Sequence, residues 1–140
     1  MTTKEIQNQI IEEFEMFSEW MDKYEYIIEL GNNLDPFDEK NKTTSNLIRG
    51  CQSRVWLNAE LKDGKVIFTA DSDAVITKGI IALLIRVLSG RTPKEITDTE
   101  LFFIDRIGLK ENLSPTRSNG LVSMIKNMKA YGLAYLSKSN

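Results

Sequence analysis

Apolar positions recur along this chain in two rhythms. From residue 4 to 18, Ile6, Ile10, Phe14 and Phe17 fall at helical spacing, Ile11 widens the stripe, and glutamates take the opposite face. A second helix is predicted from about Glu19 to Leu30, with Trp20, Tyr24, Ile27 and Ile28 as its stripe and Gly31 as a left-handed stop. Aromatic stripes at this spacing are usually core. Asn32 to Ser45 is polar, contains Pro36 and shows no period, so a loop or irregular arm is expected.

The rhythm then changes to two. Val55, Leu57, Ala59 and Leu61 alternate with Trp56, Asn58, Glu60 and Lys62. Asp63-Gly64 follows, a pair suited to a type I′ turn, and Val66, Phe68 and Ala70 alternate in turn. Pairing Lys62 with Lys65 sets Leu61 beside Val66, Ala59 beside Phe68 and Leu57 beside Ala70. One face of the hairpin is then wholly apolar and must be covered by helices.

Asp71-Ser72-Asp73 offers N-caps for the next helix. That helix, Ala74 to Leu88, is apolar nearly all round, so it should be central and buried. Gly90 ends it. Thr92-Pro93-Lys94-Glu95 is a capping box with proline at the first helical position. Thr97-Asp98-Thr99-Glu100 repeats the box and predicts a short helix through Arg106, closed by Gly108. Ser114-Pro115 opens a last helix, with Leu121, Met124, Ile125, Met128 and Leu133 as its buried face. Two helices, a hairpin and four helices, with no helix between the strands, make an α+β fold: a small antiparallel sheet packed on one face by helices. No repeat or composition break divides residues 1–140, so one domain is expected.

Composition narrows the chemistry. The 140 residues include no histidine, which excludes a Ser-His-Asp triad, a Cys-His dyad and His-ligated metal. The single cysteine excludes a Cys-rich zinc site, an all-cysteine cluster site and an internal disulfide, so no metal site is expected. Glycine-rich phosphate motifs are absent. The net charge of −2 argues against general nucleic-acid binding. The charge is uneven: residues 1–45 carry 11 acidic and 4 basic groups, and residues 46–140 carry 9 and 14. Solvated helix faces account for this simply; a basic region meeting an acidic partner is the sharper alternative. No signal peptide is apparent at the start, and Val75 to Leu88, with Lys78 and Arg86, is too short and charged to span a bilayer. A cytoplasmic, reducing compartment is expected, where a lone thiol stays free.

Cys51 is the one residue suited to covalent chemistry. A lone cysteine is often only a small buried hydrophobe. Here Gly50 permits a tight turn, Gln52 and Ser53 are polar, and Arg49 and Arg54 flank the thiol, where cations would favour the thiolate. A thiolate on a loop is suited to attacking another sulfur. Both readings stand on the residues alone. Asp71 and Asp73 could serve as an acid/base pair, but capping accounts for them more simply.

Four separated motifs resemble the SufE family, the sulfur acceptors of cysteine desulfurases in iron–sulfur cluster assembly. Gly50-Cys51-Gln52-Ser53-x-Val55-Trp56 is similar to its active-cysteine signature. Tyr24-x-Tyr26-Ile27-Ile28-Glu29-Leu30-Gly31 is similar to its second helix. Asp71-Ser72-Asp73-Ala74-x-Ile76-x-Lys78-Gly79 resembles its hairpin-to-helix junction, and Leu113-Ser114-Pro115-x-Arg117-Ser118-x-Gly120 its last-helix entry. The departures are Arg54, where glutamine is common, and few prolines in the Asn32–Asn46 loop.

The resemblance implies a SufE-like fold, itself similar to that of the IscU scaffolds. It implies that Cys51 accepts a sulfur as a persulfide from a SufS-like cysteine desulfurase, whose pyridoxal phosphate is not bound here. The acceptor stimulates that enzyme and relays sulfur to a cluster-assembly scaffold. On this implication the chain needs no cofactor, is not an enzyme on its own, and docks through the Cys51 loop without nucleic acid or membrane. Arg49, Gly50, Gln52, Ser53, Arg54 and Trp56 form the loop. By the same resemblance Asp73 and Arg117 lie near it, for thiolate stabilisation, loop anchoring or docking. Two alternatives remain: an acceptor serving another desulfurase or target, and an interaction module in which Cys51 is structural.

Overall fold

The hairpin forms in the predicted register. In the computed structural model, which describes residues 1–138, β1 (Val55–Lys62) pairs antiparallel with β2 (Lys65–Ser72), placing Leu61 opposite Val66, Ala59 opposite Phe68 and Leu57 opposite Ala70. Asp63 and Gly64 both have positive φ, 51° and 77°, as a type I′ turn requires. The second strand runs two residues beyond the expected Ala70, so that Trp56 faces Asp71 and Val55 faces Ser72.

Helices α1 (Thr3–Glu15) and α2 (Trp20–Asn32) precede the hairpin. After it come α3 (Val75–Leu88), α4 (Pro93–Asp98), α5 (Phe103–Arg106), α6 (Leu109–Asn112) and α7 (Pro115–Lys138). This confirms the α+β class and adds one short helix, α6, which follows the left-handed Gly108 at φ 76°. Helix α3 is the centre of the fold. Ile76, Ile80, Ile81, Leu83, Leu84, Val87 and Leu88 are buried, and α1, α2, β2 and α7 all pack on it. The hairpin's apolar face turns inward at Val55, Leu57, Val66, Phe68 and Ala70. Leu61, near the turn, stays 44% exposed, because the helices do not reach the tip.

The other hairpin face is covered too. The arm between α2 and β1 contains two 3-10 turns, and its Lys42 sits 5.2 Å over the Trp56 ring while pairing with Asp71 at 3.0 Å. Asp71 is also bound by Lys78 of α3 at 3.3 Å.

Three local expectations give way to tertiary context. Gly31 does not stop α2, which runs on to Asn32; Gly31 is buried within the helix. A Cβ on Gly31 would lie 2.6 Å from the Gly79 nitrogen, and one on Gly79 would strike the Ile27 carbonyl, so α2 and α3 pack backbone to backbone. The second capping box does not form. Thr97 and Asp98 end α4, the Thr97 hydroxyl donates back to the Lys94 carbonyl at 3.0 Å, and α5 starts later without a side-chain cap. Its entry is held instead by buried Gln7 of α1, which donates to the Glu100 carbonyl at 3.0 Å and accepts from the Phe103 N–H at 3.2 Å. Leu133 is 59% exposed, since Tyr131, Gly132 and Tyr135 supply the face of this part of α7 that meets the core. The Thr92 capping box forms as expected, and Thr2 makes another with Glu5 at the start of α1.

Candidate functional site

Cys51 lies on a loop whose neck is an extension of the hairpin. The Ile48 N–H donates to the Val55 carbonyl at 2.8 Å, Leu47 bridges Trp56, and the buried Ile48 side chain anchors the incoming strand. Gly50 has φ +91° and rests against α7; a Cβ there would clash with the Ser123 hydroxyl. The positive φ calls for glycine, and any side chain there would also have to push the Ser123 hydroxyl aside.

The outgoing side is clamped by the hairpin-to-α3 junction. Asp73 accepts from the Arg54 N–H at 3.0 Å and its own N–H donates to the Arg54 carbonyl at 3.2 Å. The Ser72 hydroxyl donates to the same carbonyl at 2.8 Å and accepts from the Ala74 N–H at 3.2 Å. Asp73 is therefore not an N-cap: its carboxylate is spent on the loop, and α3 begins at Val75 after an N-cap, Ala74, that has no side-chain bond to give.

The thiol turns inward. Cys51 Sγ donates to the Gly120 carbonyl of α7 at 3.6 Å, and a Cβ on Gly120 would sit 3.5 Å from Sγ. Around it is a cavity of about 50 Å³, lined by Gln52, Ser53, Thr77, Ile80, Thr116, Arg117, Gly120 and Met124. That volume holds a water or one further sulfur atom and no organic ligand. A wider surface cleft, about 580 Å³ between the start of α1 and α4, shares no residue with it.

The flanking cations do not behave as expected. Burial pushes the Cys51 thiol up from its ordinary value. Arg49 and Arg54 are exposed, so solvent screens their charge, while the thiol faces away into α7. Burial and the Gly120 carbonyl both favour the neutral thiol over the thiolate.

The structure gathers most of the expected site residues and separates one. Gly50, Cys51, Gln52, Ser53 and Arg54 form the loop; Asp73 clamps its exit; Arg117, one turn into α7, lines the cavity. The Arg117 N–H donates to the Ser114 hydroxyl at 3.3 Å, so Ser114 opens α7 as expected, and among the described residues the Arg117 side chain has no acidic partner within 4.0 Å. Trp56 is outside the cavity, under Lys42 on the opposite hairpin face. Thr77, Ile80 and Met124 escaped sequence reasoning as site residues because each sits in a helical run that reads as core. Thr77 left a trace: it is the short polar residue in an apolar helix, without the reach that carries Lys78 and Arg86 to surface partners. Among the described residues, no group of three or more His, Cys, Asp or Glu is placed to hold a metal ion, and no helix is long and apolar enough to cross a membrane.

Comparison with known proteins agrees with this geometry. The sequence profile described as "SufE: Fe-S metabolism associated domain" matches residues 8–132. The chain is 39% identical over 126 residues to an uncharacterised SufE-like protein of Synechocystis, across 90% of this chain and 79% of that protein. It is 41% identical over 128 residues to an uncharacterised SufE-like protein of Rhizobium meliloti, across 88% and 91%. The chloroplastic/mitochondrial SufE-like protein 1 of Arabidopsis thaliana is 41% identical over 126 residues, 89% of this chain but 34% of that longer protein. A solution structure of a hypothetical protein from Thermus thermophilus matches the fold with a TM-score of 0.77 over 94% of this chain and 96% of that one. At 21% identity, that likeness concerns the fold alone. The chain belongs to the SufE family, and with it to iron–sulfur metabolism.

Proposed function

We propose that this protein accepts a sulfane sulfur on Cys51 from a SufS-like cysteine desulfurase, stimulates that enzyme by removing its product sulfur, and relays the sulfur to a cluster-assembly scaffold. The observation that carries the reading is the single cysteine, latched by a few polar bonds over a cavity with room for one more sulfur atom. Residues 1–140 act as one SufE-like unit, in a reducing compartment such as the cytoplasm, where a lone thiol stays free.

The chemistry balances without another redox partner. The Cys51 thiolate attacks the terminal sulfur of the donor persulfide. A new S–S bond forms at Cys51, the donor S–S bond breaks, and the donor cysteine leaves as a thiolate. Because the resting thiol is favoured in its neutral form and turned toward Gly120, reaction requires the loop to swing out. A desulfurase drives this by contacting the exposed state better than the latched one. Exposed Arg49, Arg54 and Arg117 offer a basic rim for docking, so association slows as added salt shortens the screening length.

The test is covalent. Incubated with its desulfurase and L-cysteine, the protein gains one sulfur atom by mass spectrometry, removed by a thiol reductant. Cys51→Ser gains none while keeping its fold and its partner. An unmodified wild-type chain after turnover rejects the reading.

A further inference from the structure

Resting on the reading of Cys51 as a sulfur carrier, the cavity raises the question of how the carried sulfur is held. Once loaded, the sulfur that enters it is no longer a thiol. A persulfide is a stronger acid than its parent thiol, so its terminal sulfur is an anion near neutral pH and needs a hydrogen-bond donor. The groups that suit the thiol do not suit the anion. The Gly120 carbonyl accepts from the thiol but repels a negative sulfur, and Ile80 and Met124 offer only apolar contact.

One cavity residue has what is missing. Thr77 is 6% exposed and lines the cavity, and among the described residues its hydroxyl has no hydrogen-bond partner. A threonine in a helix ordinarily donates back to a carbonyl three or four residues earlier; this one does not. The polar alternatives lie further out: Gln52 and Thr116 are exposed and Ser53 is half-buried. Thr77 also stands in the first turn of α3, whose N-terminus carries a partial positive charge that no side-chain cap offsets.

We propose that the Thr77 hydroxyl is the hydrogen-bond donor that holds the terminal sulfur of the Cys51 persulfide in the cavity, so that the protein stores its cargo as an anion shielded from solvent. The charged groups facing this space come from three elements. Arg117 of α7 lines the cavity; Arg49 and Arg54 flank Cys51 in the loop; Asp73 at the end of β2 is turned to the Arg54 N–H. Lys78, beside Thr77 in α3, is engaged with Asp71. The exposed arginines are screened by solvent, whereas the Thr77 hydroxyl gives a directed, charge-assisted bond.

The experiment loads Cys51 without the desulfurase, so that this assignment and the acceptor reading fail separately. Inorganic polysulfide gives one sulfur atom to the Cys51 thiolate and leaves as a chain one sulfur shorter. The persulfide anion is then titrated by its ultraviolet absorbance in wild type, Thr77→Val and Thr77→Ser. Valine keeps the shape and breaks no hydrogen bond within the protein, so the unmodified variant melts with wild type. Its persulfide titrates about one pH unit higher, a tenfold loss of preference for the anion, and serine restores the wild-type midpoint. Wild-type and Thr77→Val persulfides that titrate together overturn the assignment, as does a wild-type cavity that takes no sulfur from polysulfide. A Thr77-dependent titration in a protein that no desulfurase loads would leave the donor in place and remove the acceptor reading instead.

Discussion

The seam between α2 and α3 and the seam between the Cys51 loop and α7 both run through glycines, yet they are built for opposite ends. At the first, Gly31 and Gly79 bring two helix backbones into contact, with Ile27 against Gly79 and no side chain able to move aside. At the second, Gly50 abuts a serine hydroxyl and Gly120 faces a thiol at ordinary contact distance. What holds the loop's exit is polar and near solvent: the Arg54 N–H on the Asp73 carboxylate, the Asp73 N–H on the Arg54 carbonyl, the Ser72 hydroxyl and the thiol itself. Close-packed backbone admits no intermediate position. A latch of a few solvent-exposed hydrogen bonds, each worth about 1 kcal/mol, opens at a cost that a docking partner can supply. The fold thus sets a mobile nucleophile beside an immobile platform.

The contrast is broken most severely at the platform. Gly79→Ala drives a methyl into the Ile27 carbonyl, and overpacking of this kind costs ~3 kcal/mol or more. Thermal denaturation should show a fall in melting temperature of roughly 10 °C or more; an unchanged melt would mean that the seam yields like the latch.

Gly50→Ala should act on the latch alone. It imposes a positive φ on an L-residue, costing about 1–2 kcal/mol locally, and displaces Ser123. The expected result is roughly tenfold faster alkylation of Cys51 with little change in the global melt.

Asp73→Ala removes the Arg54 N–H acceptor and should speed alkylation a few-fold. Arg117→Ala, which uncovers one wall of the cavity, should do the same to a smaller degree. Alkylation already at the rate of an unfolded-peptide cysteine, and indifferent to both changes, would show that no latched state exists.

The smallest effect is in pH. Burial raises the Cys51 pKa, so the folded state holds the thiol proton more tightly than the unfolded chain. This contribution to stability is present below the ordinary thiol pKa and is lost as pH rises through the folded value. Alkylation of the free protein should rise with a midpoint above the ~8.5 of an exposed cysteine, and Asp73→Ala should bring that midpoint down. A wild-type midpoint at or below the ordinary value would place the thiol outside the cavity.

Much of this was legible from local pattern. Alternation and Asp63-Gly64 dictate the hairpin register, because a one-residue slip would turn Leu57 and Phe68 to solvent. An all-round apolar run dictates a central α3. Cys51 stands out because no other residue can do its chemistry, and the glycine beside it is explained by the turn it makes.

Only the assembled chain decided the rest, because the deciding forces act between residues far apart in sequence. Gly31 reads as a helix stop until Gly79 arrives against it, and Asp73 reads as a cap until Arg54 takes its carboxylate. The arginines beside Cys51 suggest a thiolate, but the pKa follows burial against α7, 69 positions along the chain, where Gly120 supplies the carbonyl that accepts the thiol. Thr77 is one more helical residue until the fold places it in the wall of the cavity that holds the sulfur. Sequence periodicity determined which faces would be apolar and where the chain would turn. Tertiary packing determined which polar groups lost water, and with that the protonation and reach of the one thiol this protein has.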